Sequence, residues 1–329
     1  MSRLQVIQIG VGGRGRAFLQ AMKNNELFEH AAFVDLNEAA FEKGRETVPM
    51  HPDKCFTDLA QAFKQVAADA AFVITPPPLH AEQCHAALDA GLHVLVEKPF
   101  TKTLADAQSV VDKADACNLR VVVSQNRRYT GAARKARELL ESGKFGKVCA
   151  GTLAKAGYRG GVHHSGEDTH SYLWERGVHD IDTLLHWVEP RKARRVCAKS
   201  FNPPFSPYRG GASVYGWIEF DDGAVFALTL SFMTHSKANA CVLDCEQASI
   251  VINSKLSVQR VKQDPEIVEI GKHEYPDSVQ GVLQAFHAYI TDGTEPPVSG
   301  RNNCETIKLI EALGRSSDEN RVIELAGQP

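Results

Sequence analysis

Between residues 172 and 188 the chain reads YLWERGVHDIDTLLHWV, and four of these side chains could move protons: Glu175, His179, Asp182 and His186. Their spacing of four, three and four places them on one face if the stretch is an α-helix. Histidine titrates near pH 6.5, so a neutral imidazole takes a hydroxyl proton at neutral pH while a nearby carboxylate sets its tautomer. A merely solvated face would mix lysine with glutamate. Val178, Ile181, Leu185 and Val188 make the opposing apolar stripe, so the helix is expected to pack on a core.

A second reactive group is Lys98, within Glu97-Lys98-Pro99-Phe100. It follows an apolar run at 93–96 that reads as a strand, and ligands of open α/β sheets bind at the carboxyl ends of strands. An ammonium there can donate to a substrate oxygen, and the proline after it makes a cis Lys98–Pro99 bond available to fix its direction.

Both groups need a redox or binding partner, and residues 5–15, QVIQIGVGGRG, supply the signal for one. An apolar strand runs into Gly10, Gly12 and Gly15 at G-x-G-x-x-G spacing, and a helix is expected over 16–23. Gly10 lets the backbone reverse, Gly12 lets a pyrophosphate approach, and Gly15 lets helix and strand pack closely. Phosphates would lie on the amides at the helix start, alongside Gly13 and Arg14. A second strand, 31–36, ends in Asp35, about twenty residues past Gly15, where a dinucleotide fold places an acid for the ribose hydroxyls. That carboxylate would repel a 2′-phosphate, and Leu36 and Asn37 offer no arginine to receive one, so NAD is expected over NADP.

The supporting elements alternate. Helices at 39–47, 59–66, 81–90 and 104–118 separate apolar strands at 70–74, 93–96 and 120–124, the pattern of βα units on a parallel sheet. The loop Thr75-Pro76-Pro77-Pro78-Leu79-His80 is stiffened by its prolines. From Gly146 onward strands at 148–156, 195–200, 213–220, 224–232, 240–245 and 248–252 follow without intervening helices, with Asp221-Asp222-Gly223 as a hairpin turn. The expected architecture is an α/β chain: a Rossmann domain with a parallel sheet at 1–124, then an α+β domain at 125–329 with a large, mostly antiparallel sheet and closing helices at 279–291 and 305–320.

Composition bounds the function classes. The 329 residues are 43% hydrophobic and 23% charged, with a net charge of -3, which gives no electrostatic case for nucleic acid or an anionic membrane. No apolar run approaches the roughly 18 residues of a membrane span, and no signal-peptide pattern opens the chain, so a cytoplasmic protein is expected. Eight scattered cysteines without a C-x-x-C pair point to reduced thiols. The segment 163–170, HHSGEDTH, holds three histidines and two acids but fits no metal-ligand spacing; it reads as a polar loop over the active site, and no metal is expected.

Together, Gly10 to Gly15, the Thr75-Pro76 to His80 loop, Glu97-Lys98-Pro99, Asn126-Arg127-Arg128-Tyr129 and Gly177-Val178-His179-Asp180-Ile181-Asp182 resemble the Gfo/Idh/MocA oxidoreductases, the glucose-fructose oxidoreductase and inositol dehydrogenase family, in order from Leu4 to about Leu325. The resemblance implies a nicotinamide cofactor held by Gly10, Gly12, Gly13, Arg14, Gly15, Asp35, Thr75, Pro76, His80, Glu97 and Lys98. It implies a sugar, inositol or related polyol substrate, and a homodimer or homotetramer built through the open sheet. Lys98 matches the family's active-site lysine and His179 its catalytic histidine, with Glu175 where inositol dehydrogenases carry an aspartate. Arg128, Tyr158, His163 and Asp182, with Arg159, are the expected substrate contacts beside Lys98. The implied reaction is oxidation of a secondary alcohol; its rivals are a redox-neutral enzyme that retains NAD and, less favoured by the presence of Lys98 and His179, a regulator that binds NAD or sugar without catalysis.

Overall fold

The computed structural model describes residues 3–162, 168–270 and 277–325. The chain divides into two compact units, one of Met1–Asn126 with Tyr275–Ile307 and one of Arg127–Glu274 with Lys308–Pro329.

In the first unit six parallel strands, β1 (Leu4–Ile9), β2 (Phe28–Val34), β3 (Cys55–Phe56), β4 (Ala70–Val73), β5 (His93–Val96) and β6 (Val121–Val123), lie in the order β3-β2-β1-β4-β5-β6. All four residues of β4 and all three of β6 are buried, as expected of strands covered on both faces. Helix starts are set by side chains: Asp58 accepts from the amides of Ala60 and Gln61, and Thr103 Oγ1 accepts from Asp106 N at 3.0 Å while donating to the Asp106 carboxylate at 2.7 Å. β2 starts three residues before the expected 31, because Leu4 and Phe28 pair and carry Glu29 and His30 into the sheet.

The expected uninterrupted split after residue 124 does not describe this unit. Helix Asp277–Thr291 packs on its core: Phe286 stacks on Phe28 with ring centroids 5.9 Å apart, and Gln280 Nε2 donates to the Ala21 carbonyl at 2.6 Å. Val123 N donates to Val298 O at 2.9 Å, so the later segment also extends the edge at β6. The apolar face of that helix looks the same in sequence whichever core it serves.

The second unit is built on nine strands: β7 (Val148–Tyr158), β8 (Ala193–Phe201), β9 (Ser213–Phe220), β10 (Val225–Ser231), β11 (Met233–Cys245), β12 (Ser249–Ile252), β13 (Leu256–Gln259), β14 (Glu266–Val268) and β15 (Ile323–Glu324). Their order is β14-β13-β12-β11-β7-β10-β9-β8-β15, and only β10 and β7 pair in parallel. Gly223, at φ +87°, makes the turn between β9 and β10. One face is apolar and buried, with Leu153, Val196, Ile218, Phe226, Leu228 and Leu230 clustering with Ile181, Leu184 and Leu185 of helix Val178–Val188. The other face leaves Thr152, Tyr215, Val225, Ala227 and Thr229 exposed. Among the described residues no helix is long and apolar enough to cross a membrane. The eight cysteines are free thiols.

Candidate functional site

The glycine loop leaves β1 under tight constraints. Gly10 sits at φ +89°, and a Cβ there would lie 2.3 Å from the Ile74 carbonyl oxygen; one at Gly15 would lie 2.2 Å from Gly10 O. Gly13 is required by φ +39°. At Gly12, by contrast, a Cβ would meet nothing closer than 3.8 Å, so the protein itself leaves room that it does not need. Asp35 faces this loop: its Oδ2 accepts from the amides of Val11 (2.9 Å) and Gly12 (3.3 Å), and its Oδ1 from Asn37 N (3.0 Å).

Gln8, absent from the sequence-based set, holds the loop from beneath. Fully buried in β1, its Nε2 donates to the carbonyls of Gly10 (3.0 Å) and Gly15 (3.1 Å), and its Oε1 lies 2.9 Å from His30 Nε2. Burial pushes His30 down to about 4, so the ring is neutral at pH 7, with its proton on Nε2 to serve the glutamine oxygen. A glutamine between Ile7 and Ile9 in the buried half of β1 was the available signal, since a buried amide must find partners.

Two further loops stand at the carboxyl ends of β4 and β5. His80 is fully buried and ties them together, Nε2 lying 2.8 Å from Thr75 O and Nδ1 2.8 Å from Pro99 O. Burial pulls its pKa below the ordinary value, against carbonyl contacts that favour an N–H on each nitrogen. Thr75 Oγ1 donates to Gln83 Oε1 at 2.5 Å, and Pro76 is exposed. The Lys98–Pro99 peptide is cis and Lys98 is half-buried. Glu97 is 4% exposed; Arg14 Nε reaches its Oε2 at 3.1 Å, joining the glycine loop to this one, whereas Oε1 is buried without a hydrogen-bond partner among the described residues. An orphaned carboxylate oxygen and the spare room at Gly12, both at the strand ends, fit a dinucleotide with ribose or amide donors.

The second unit carries the histidine. The expected single helix over 172–188 is a π-helical turn, Leu173–Gly177, leading into an α-helix, Val178–Val188, so Glu175 and His179 stand across a change of helical pitch. Both are 8% exposed, and Glu175 is ion-paired with Arg159. Thr183 Oγ1 donates to the His179 carbonyl at 2.8 Å.

Asp182 and Arg128, expected to contact substrate, grip each other instead. Their side chains are 1% and 3% exposed, joined by Nε–Oδ2 and Nη2–Oδ1 bonds of 2.7 and 2.8 Å, and Arg128 Nη1 also donates to Glu189 at 3.0 Å. Burial alone would lower the pKa of Arg128, but Asp182 and Glu189 more than reverse this, so its guanidinium stays charged. His186 is pushed down to about 3 by burial and by Arg128 and Arg137, with Nδ1 buried and unpartnered. Tyr158 is 58% exposed at the end of β7, stacked on His235 at 6.1 Å. His163 lies outside the described residues. Asp180, which sequence reasoning passed over because it falls off the polar stripe, is 3% exposed and accepts from Arg127 Nη1 (2.7 Å) and the Tyr172 hydroxyl (2.9 Å). Lys98 thus belongs to the first unit, and His179, Glu175 and Asp180 to the second.

Residues 4–125 match the family model GFO_IDH_MocA, oxidoreductases with an NAD-binding Rossmann fold, and residues 137–325 match the model of that family's C-terminal α/β domain. An uncharacterised protein of Sinorhizobium fredii is 27% identical over 67% of this chain, and the chain spans only 63% of that relative's length. The scyllo-inositol 2-dehydrogenase (NADP(+)) of Bacillus subtilis is 24% identical over 98% of this chain and 97% of its own. An inositol dehydrogenase homologue of Azotobacter vinelandii, solved with NADH and myo-inositol, superposes with a TM-score of 0.84 at 18% identity over 98% of each chain, a likeness of fold.

Proposed function

The chain belongs to the Gfo/Idh/MocA oxidoreductase family, and on that premise we propose that it oxidises, reversibly, a secondary alcohol of a sugar, inositol or related polyol with NAD. The observation that carries this reading is the half-satisfied, buried Glu97 carboxylate directly before Lys98 at the end of β5. A cofactor donor would complete Glu97 while the neighbouring ammonium addresses the substrate oxygen.

When bound, the nicotinamide supplies the acceptor for the hydride that leaves the carbinol carbon. His179 takes the hydroxyl proton, Lys98 donates to the oxygen as negative charge develops on it, and Glu175, anchored by Arg159, orients the imidazole. Gly10, Gly12, Gly13, Arg14 and Gly15 hold the pyrophosphate, and Thr75, Pro76 and His80 shape the loop beside it. Asp35, fixed by the Val11 and Gly12 amides, takes the ribose hydroxyls and disfavours a 2′-phosphate, unlike the NADP(+) named for the Bacillus relative. Tyr158 keeps its expected role as an exposed substrate contact; Arg128 and Asp182 leave that list, because the clasp occupies both. The exposed sheet face with Tyr215 and Val225 is the surface through which a homodimer or homotetramer forms, which light scattering tests.

The central experiment follows nicotinamide reduction by the NAD-supplied protein across inositols, aldoses and sugar acids. His179→Ala should lower turnover about 10²- to 10⁴-fold and Lys98→Met about 10²- to 10³-fold, with little change in NAD affinity. Full turnover in both variants would sink the assignment. Consumption of a substrate without net NADH would replace it with the redox-neutral reading.

A further inference from the structure

Three arginines of the second unit pair with two buried carboxylates, and Lys155 lies close enough to Asp180 to feel its charge. Arg127 Nη1 lies 2.7 Å from Asp180 Oδ1, Arg176 Nε lies 3.8 Å from Asp180 Oδ2, and Arg159 pairs with Glu175. Lys155 is joined to them through Tyr172, whose hydroxyl is 3.1 Å from the Lys155 carbonyl and 2.9 Å from Asp180 Oδ2. Its ammonium donates to the neutral Asn239 Oδ1 at 2.7 Å, and among the described residues no carboxylate lies within 4.0 Å of it.

Among the described residues this leaves more cations than carboxylates, with the carboxylates buried and the cations reaching the surface. Asp180 and Glu175 are 3% and 8% exposed, and Lys155 is half-buried. The side chains of Arg127, Arg159 and Arg176 are 35%, 45% and 44% exposed, so part of each guanidinium faces outward. A like-charge cluster on a partly desolvated surface is unfavourable alone and becomes favourable when an anion enters it. Burial holds the Lys155 ammonium below its ordinary pKa, opposed chiefly by Asp180, with Arg127 and Arg176 adding slightly to the fall. The carboxylates of the cluster share a helical segment with the proton-transfer residue: Asp180 follows His179 in the chain, and Glu175, paired with Arg159, lies one turn before it. A neutral polyol would leave the excess charge unanswered.

We infer that the polyol oxidised by this protein carries an anionic group, a carboxylate or a phosphate ester, and that Lys155, Arg127 and Arg176 form its receptor beside His179. The inference rests on the alcohol-oxidising reading for its placement. Lys155 contributes specificity here, and the proton still moves through His179.

The test uses the full chain with NAD or NADH and a panel of hexoses and inositols, each as the neutral compound, its carboxylate and its phosphate ester; glucose, glucuronate and glucose 6-phosphate form one such set. Binding is read by calorimetry in the presence of NADH, and turnover by nicotinamide reduction. At least one anionic member should bind at least about tenfold more tightly than its neutral parent, and Lys155→Met should reduce that preference about 10- to 150-fold, the range of a hydrogen bond to a charged group. Arg176→Gln should reduce it as well, because Arg176, 3.8 Å from Asp180 against 2.7 Å for Arg127, is the less neutralised of the two guanidinium groups. Carboxylate against phosphate ester then names the source of the charge. No anion preference anywhere in the panel, or a preference unchanged in a Lys155→Met protein with native melting temperature, overturns the inference. Lys155-dependent anion binding without nicotinamide reduction by any member sustains the receptor and overturns the dehydrogenase reading instead.

Discussion

Replacing Asp182 by asparagine, or Arg128 by methionine, separates a structural clasp from a substrate contact. The pair is 1% and 3% exposed and shares two bonds of 2.7 and 2.8 Å. Removing one partner of such a pair leaves a buried charge uncompensated, at about 3–5 kcal/mol, a large part of the roughly 5–15 kcal/mol that holds a domain folded. Asp182→Asn should fall near the lower figure, since the amide keeps one acceptor oxygen. Arg128→Met should reach the upper, because the Asp182 carboxylate loses the two charged guanidinium bonds of 2.7 and 2.8 Å. The double variant Arg128→Met/Asp182→Leu should recover most of the loss, the cost of burying both charges having gone with them. Urea unfolding reads this directly: the midpoint falls in each single variant with little change in slope, and returns in the double. Single variants as stable as the parent but with substrate KM raised tenfold or more would refute the clasp and restore both residues to the substrate site.

Two further outcomes follow from the geometry. Gly12→Ala should leave stability within about 0.5 kcal/mol, because its Cβ would have 3.8 Å of clearance, yet weaken NAD binding at least about tenfold; Gly10→Ala, with a Cβ 2.3 Å from Ile74 O, should disrupt the folded loop itself. Equal NAD affinity in Gly12→Ala, measured by calorimetry, would show that the spare room is not where the pyrophosphate lies. For pH, His30 and His186 titrate in the folded protein at about 4 and about 3, below the ordinary 6.5, so the unfolded chain binds more protons between these values. Their contribution is fully present above pH 6.5 and is lost as pH falls toward 4, at no more than about 1.4 kcal/mol per pH unit for each ring. Urea midpoints at pH 7 and pH 5 check the sign, and a midpoint that rises on acidification contradicts it.

Much of the fold was legible because parallel strands buried on both faces must be continuous apolar runs, as at β4, β5 and β6, and because a tight turn at Gly10 tolerates no side chain. What escaped has local reasons. The first half of β11, MTHSKAN, is largely exposed and pairs with β7 only at Met233, Ala238 and Asn239, so it lacks an apolar period. β3 and β15 are two residues long and exist only beside β2 and β8. Asp182 and Arg128 have the composition of a site and the burial of a clasp, and composition alone does not separate those. Asp180 was hidden because it falls off the stripe of Glu175, His179, Asp182 and His186, and its partners Arg127 and Tyr172 come from other turns of the chain.

The return of the chain to the first unit sets an order of assembly during synthesis. Phe28 and Phe72 are covered by Phe286, Asn126 Nδ2 donates to Ser278 Oγ, and β6 meets Val298, so the nucleotide-binding half lacks part of its core until residues near 300 have left the ribosome. The first 126 residues therefore wait, with aromatic surface bare, while nearly 150 more emerge. A gene fragment ending at the apparent domain border would encode this waiting state permanently; one joining residue 126 to 277 through a short linker would encode the finished unit.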